Sequence, residues 1–137
     1  MEKEHIWTVL IATKDKSIQK LVKNTLNDLQ SKAILVSSVN QFFEKLLKED
    51  VDLIIFDPEI PALRGLEAFR IAKSYHPNVP SILIYEHEKY AVTRSVLDKG
   101  VIYRMLKPVS KQDLDQVCES VRSLKAIEMD HKIDVQD

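Results

Sequence analysis

The sequence predicts an α/β fold: a doubly wound, five-stranded parallel sheet with helices on both faces. Three observations lead there. Short apolar runs alternate with stretches whose apolar residues recur at helical spacing. One run, Leu53-Ile-Ile-Phe56, is unbroken and stops at Asp57-Pro58, which reads as a strand buried on both faces. Crossovers between parallel strands are right-handed, and five such units give the strand order 2-1-3-4-5.

Each element has its own warrant. Thr8-Val-Leu-Ile-Ala12 is the first strand, with Trp7 covering its start. Asp15 to Ser17 offer caps for a helix over roughly 16–30, striped by Ile18, Leu21, Val22, Leu26 and Leu29. Ala33-Ile-Leu-Val36 is the second strand. Ser37, Ser38 and Asn40 can cap a second helix marked by Phe42, Phe43, Leu46 and Leu47. The central strand follows, and Pro58, with no N–H and a fixed φ, ends it. Beyond a loop from Pro58 to Gly65, Leu66, Phe69 and Ala72 carry a third helix to about Tyr75. It ends at His76, because the residue before Pro77 avoids the helical region.

Ser81-Ile-Leu-Ile-Tyr85 is the fourth strand and Glu86 to Glu88 a polar loop. A fourth helix runs from about Lys89 to Lys99 and stops at Gly100, a natural left-handed residue. Ile102 to Leu106 is the fifth strand, ended by Lys107-Pro108. Ser110-Lys-Gln-Asp113 resembles a capping box with Asp in place of Glu, and Leu114, Val117, Cys118, Val121 and Leu124 stripe the last helix. Residues 1–124 are thus one domain, and 125–137 a polar C-terminal extension or linker in which order fades. The whole pattern is flavodoxin-like, (βα)5.

Composition excludes several functions. A chain of 137 residues, 45% hydrophobic and 30% charged, suits one domain with a real core. A net charge of −1 gives no global field for nucleic acid or anionic membrane. The single cysteine, Cys118, excludes an intramolecular disulfide framework and fits a cytoplasmic setting. No apolar run approaches the ~20 residues a membrane span needs. The polar start Met-Glu-Lys-Glu-His leads straight into a strand, so no secretory leader is expected.

The carboxyl ends of strands one, three, four and five ring one pocket in this topology. Ala12-Thr-Lys-Asp15, Asp57, Tyr85-Glu86 and Lys107-Pro108 lie there. Asp57 followed by Pro61 and Gly65, with Lys107-Pro108 after the fifth strand, resembles the receiver domains of two-component response regulators. The likeness covers about residues 6–124. It implies a signalling module rather than an enzyme, in which Asp57 accepts a phosphoryl group from a histidine kinase and Lys107 pairs with the phosphate. It also implies an acid pair after strand one that holds Mg²⁺, a small hydroxyl after strand four, and an aromatic switch three residues before the lysine.

The sequence departs from that pattern at several of these positions. Thr13 and Lys14 stand where the acid pair belongs, Tyr85 at the hydroxyl position, Glu86 where a small residue is usual, and Arg104 at the aromatic position. Asp57 is left as the one sure carboxylate ligand, with Asp15 and Glu59 as substitute metal ligands in a minority reading. A lysine ammonium about 4 Å from a cation costs about 4 kcal/mol at an effective dielectric of 20. Weak or absent Mg²⁺ binding is therefore expected. Lys14 and Lys107 are both expected to approach Asp57 and occupy the metal's place electrostatically.

Blander readings stand beside these. Asp57 alone could cap its loop, Cys118 is a core thiol, and the four histidines have no metal-ligand spacing. The expected function is an atypical receiver with weak Mg²⁺-dependent phosphorylation, or else a phosphorylation-independent interaction module. Its expected partners are a sensor histidine kinase or another signalling protein, and a second copy through the face of the fourth helix, fifth strand and last helix. Neither membrane nor direct nucleic-acid binding is expected. A flavodoxin-like cofactor binder is the remote alternative, since Lys14-Asp-Lys-Ser17 has no glycine to cradle a phosphate.

Overall fold

A computed structural model describes residues 6–60, 65–85 and 101–135. In chain order the elements are β1 (Thr8–Ala12), α1 (Lys16–Asp28), β2 (Lys32–Val36), α2 (Val39–Lys48), β3 (Leu53–Phe56), α3 (Gly65–Tyr75), β4 (Ser81–Tyr85), β5 (Val101–Leu106) and α4 (Lys111–Val135). The five strands form one parallel sheet in the order β2-β1-β3-β4-β5, as the sequence predicts. The expected helix from Lys89 to Lys99 lies outside the described residues.

Strand parity splits the core in two, because successive side chains point to opposite faces. Leu10, Ala12, Ile54, Phe56 and Leu83 face α2 and α3. Val9, Ile11, Leu53, Ile55, Ile82 and Ile84 face α1 and α4. All four β3 residues are buried, so this strand belongs to both cores. Phe56 meets Phe42 edge-on with centroids 5.0 Å apart and Phe69 at 5.3 Å. Those contacts seat α2 and α3 on the central strand.

Caps fix where the helices begin. Asp15 accepts from the N–H groups of Ser17 and Ile18 at the start of α1, and Ser38 accepts from Gln41 N–H at the start of α2. Ser110 Oγ accepts from Asp113 N–H at 3.1 Å, the first half of the expected capping box. The end of α1 is a finding of the structure. Ser31 N–H donates to the Leu26 carbonyl at 2.8 Å and Gln30 N–H to the Asn27 carbonyl at 3.1 Å. This is a Schellman closure with Gln30 in the left-handed position, at φ 54°. The helical stripe reaches Leu29, and no glycine marks the stop, so the sequence extends this helix slightly too far.

The last helix departs further. It continues to Val135, where the sequence suggested fading order after Leu124. No glycine or proline interrupts residues 111–135, so nothing in the backbone chemistry ends it. Its first turns are fastened to α1: Lys111 pairs with Asp28 at 2.7 Å, and Arg122 Nη1 donates to the Leu29 carbonyl at 3.0 Å. The Arg122 guanidinium also lies 5.7 Å from the Trp7 ring centroid, so Trp7 is roofed as well as roofing. Cys118, on the buried side of α4, is the core thiol expected, and burial pushes it up to about 12.

One buried cation sits outside the functional edge. Lys73, in the last turn of α3, is almost fully buried and donates to the Val79 carbonyl. Burial holds its pKa down at about 8, against the ordinary lysine value of 10.5.

Two outcomes follow from these local features. Gln30→Gly removes a side chain from a left-handed residue and should stabilise the domain by about 0.5–1 kcal/mol, read as a higher urea midpoint at unchanged slope. Between pH 8 and pH 10.5 the unfolded chain holds the Lys73 proton more tightly than the folded one, so stability should rise with pH across that window. Lys73→Met should flatten that rise; an unchanged pH profile would show that Lys73 does not carry it.

Candidate functional site

The parallel register delivers the site. Asp57 N–H donates to the Ala12 carbonyl at 2.9 Å, which sets the first residue past β3 beside the first residue past β1. Asp57 is almost completely buried, so both carboxylate oxygens require partners. Oδ2 accepts from Thr13 Oγ1 at 2.7 Å and from Lys107 Nζ at 2.9 Å. Oδ1 accepts from Glu59 N–H at 3.0 Å.

Lys107 is the hub. Its ammonium also donates to Glu59 Oε2 at 3.2 Å and lies 3.7 Å from Asp15 Oδ2. It reaches this place from the turn after β5, where the Lys107–Pro108 peptide is cis. Burial pulls its pKa down, but the hydrogen bonds and charges of Asp57 and Glu59 more than offset that, and the net shift is upward. Asp15 moves the opposite way: the Ser17 hydroxyl, assisted by the N–H groups of Ile18 and Ser17 and by Lys107, outweighs burial and holds its carboxyl below the usual value.

The structure therefore brings together Thr13, Asp15, Asp57, Glu59 and Lys107. Thr13 reads in sequence only as a missing acid, yet it is an active member of the network. Its hydroxyl accepts from Asp15 N–H at 3.1 Å while donating to Asp57. No local signal marks this role; it needs β1 beside β3. The expected approach of Lys14 to Asp57 does not occur. Thr13 turns inward and Asp15 turns to cap α1, which leaves the Lys14 side chain exposed and without an ion pair to any described residue. Tyr85 pairs with Leu106 at the end of β4, but its side chain, like Glu86, lies outside the described residues. Arg104 is exposed on β5 and lines a groove with Asp113 of α4.

Mg²⁺ can be tested against this donor set. It demands near-octahedral oxygen ligands and dehydrates reluctantly. Among the described residues no three acidic, histidine or cysteine side chains converge as a metal-holding group. Asp15, Asp57 and Glu59 converge on the Lys107 ammonium instead. Asp15 Oδ1 is further committed to the cap of α1. As arranged, these residues do not fit the ion.

A buried acid at the end of the third of five parallel strands, paired to a lysine after the fifth, places the chain among doubly wound α/β domains with a charged site at the sheet's carboxyl edge. The chain belongs to the response regulator receiver domain family, whose sequence profile matches residues 9–119. The hydrogenase transcriptional regulatory protein HoxA of Cupriavidus necator is 25% identical over 132 residues, covering 94% of this chain and 27% of that protein. The transcriptional regulatory protein GlrR of Escherichia coli K12 is 23% identical over 124 residues, covering 90% of this chain and 28% of that protein. The chain thus spans little more than a quarter of the length of these relatives. Among solved structures, the REC domain of AraT, a response regulator from Geobacillus stearothermophilus, matches with a TM-score of 0.80 at 23% identity. That match covers 91% of this chain and 99% of the other and shows the same fold.

Lys107→Met would leave Asp57 and Glu59 without their counter-charge. It should destabilise the domain by about 3–5 kcal/mol. Denaturant melts measure it as a lower midpoint, and an unchanged midpoint would mean the carboxylates find other partners.

Proposed function

We propose that this receiver domain is an atypical member, a signalling module that works in the cytoplasm through protein–protein contact and in which phosphoryl transfer to Asp57 is weak. Its partner is a sensor histidine kinase or another signalling protein. The observation that carries the reading is the filled coordination of Asp57: Oδ2 accepts from Lys107 at 2.9 Å and, at 2.7 Å, from the hydroxyl of Thr13, which stands where the family pattern expects an acid that holds a metal. Oδ1, with a single recorded donor among the described residues, is the oxygen left to attack. It would form the new O–P bond as the P–N bond of a phosphohistidine breaks, the imidazole nitrogen keeping the electron pair and taking up a proton.

A phosphorylation-independent module is the second reading, and Lys107 favours it. That ammonium already sits among three carboxylates, so the site is held together without an added group. The groove between β5 and α4 supports a contact function for either reading. It carries opposite charges, Arg104 and Asp113, beside the half-exposed Leu106. A surface of that kind can pair with itself across a two-fold axis, in keeping with a homodimer through this face.

The test is beryllofluoride with Mg²⁺, followed by amide chemical shifts. The wild-type domain should show no two-state change and no saturation at low millimolar Mg²⁺, and Thr13→Asp combined with Lys14→Asp should restore both. A clear change in the wild type that vanishes in Asp57→Asn would overturn the attenuated reading.

A further inference from the structure

We propose that Glu59 is a built-in rival for the charge of Lys107, an internal carboxylate that shields the Asp57–Lys107 pair from incoming phosphoryl groups; this rests on Asp57 being the acceptor. The geometry is specific to this residue. The Glu59 N–H holds Asp57 Oδ1 at 3.0 Å while its own carboxylate holds Lys107 Nζ at 3.2 Å. One side chain and its backbone therefore touch both the nucleophile and the cation meant to steady the group it receives.

An ammonium has three N–H donors. Asp57 and Glu59 take two, and the third faces Asp15 at a longer 3.7 Å. A tetrahedral anion arriving at Asp57 needs the donor that Glu59 holds, and it offers the same chemistry, an anionic oxygen. The two compete for one position. Asp57 cannot yield, since its side chain is 1% exposed; Glu59 at 26% can swing to solvent. Asp15 is a poorer rival because its Oδ1 is tied to Ser17 and Ile18. Among the described residues the three carboxylates outnumber Lys107 and the exposed Lys14, so the edge is net negative and repels a phosphate dianion. The site therefore has a closed arrangement, with Glu59 on Lys107, and an open one in which Lys107 is free for the anion.

Glu59→Gln tests this, because it keeps the N–H to Asp57 and the side-chain shape while removing the charge. With acetyl phosphate, Asp57 Oδ1 bonds to phosphorus as the phosphorus–acetate oxygen bond breaks and acetate leaves with the electron pair. Labelling of Asp57, read by intact mass with Asp57→Asn as the blank, should be about tenfold faster in Glu59→Gln than in the wild type. Inorganic phosphate should perturb the amides of Thr13 and Asp57 at about tenfold lower concentration. Glu44→Gln, which removes an exposed carboxylate of α2 paired with Lys48 and outside the site, should change either measure by no more than about twofold. Equal labelling and equal phosphate binding in Glu59→Gln and wild type would overturn the rivalry while leaving Asp57 as acceptor. Tighter phosphate binding with no labelling in any variant would instead remove Asp57 as acceptor and leave the competition for Lys107 standing.

Discussion

The ion pair between Asp57 and Lys107 is the interaction on which the functional edge depends. It joins residues 50 positions apart in sequence, at the ends of β3 and β5, at 2.9 Å. A carboxylate as buried as Asp57 is tolerated only with a charge partner and satisfied oxygens. The fold supplies them from three directions: Thr13 beyond β1, Lys107 beyond β5, and the backbone of its own loop at Glu59. The Glu59 contact is local, but the other two exist only once the sheet has brought the ends of β1 and β5 to the end of β3. The pair thus depends on the whole topology, and the loops at that edge are arranged around the pair.

Most of the fold was legible because it rests on repeating patterns. The unbroken run at Leu53–Phe56 announced a strand buried on both faces, and the structure gives it to both cores. Caps at Asp15, Ser38 and Ser110 were legible because side-chain oxygens before apolar stripes have a local meaning. The misplaced end of α1 has a local cause too. Backbone hydrogen bonds close the helix with Gln30 left-handed, a conformation that the identity of a glutamine does not advertise. Helix α4 runs on into the stretch whose polarity read as an extension, since polar residues without glycine or proline can remain helical.

The site was half legible. Asp57 and Lys107 could be paired from sequence, since each ends a strand at the same edge of the sheet. Thr13, Lys14 and Glu59 could not be assigned, because their side-chain directions are set where the chain leaves a strand and the two-residue alternation no longer holds. Thr13 looked like a loss and is a donor. Lys14 looked like a replacement cation and is exposed. Glu59 looked like a substitute metal ligand and is bonded to Lys107. An edge expected to be short of acids thus has three of them, gathered around one lysine rather than around a metal.

The buried thiol of Cys118 has a consequence of a different kind. It is the only cysteine in the chain, it lies on the buried face of α4 with Leu114 and Val121, and burial suppresses its ionisation. Thiolate is the reactive form, so in the native state the group is chemically silent. It becomes reactive only when α4 lifts from the sheet. The domain therefore carries its own clock: the rate at which an alkylating reagent marks Cys118 counts how often the C-terminal helix lets go.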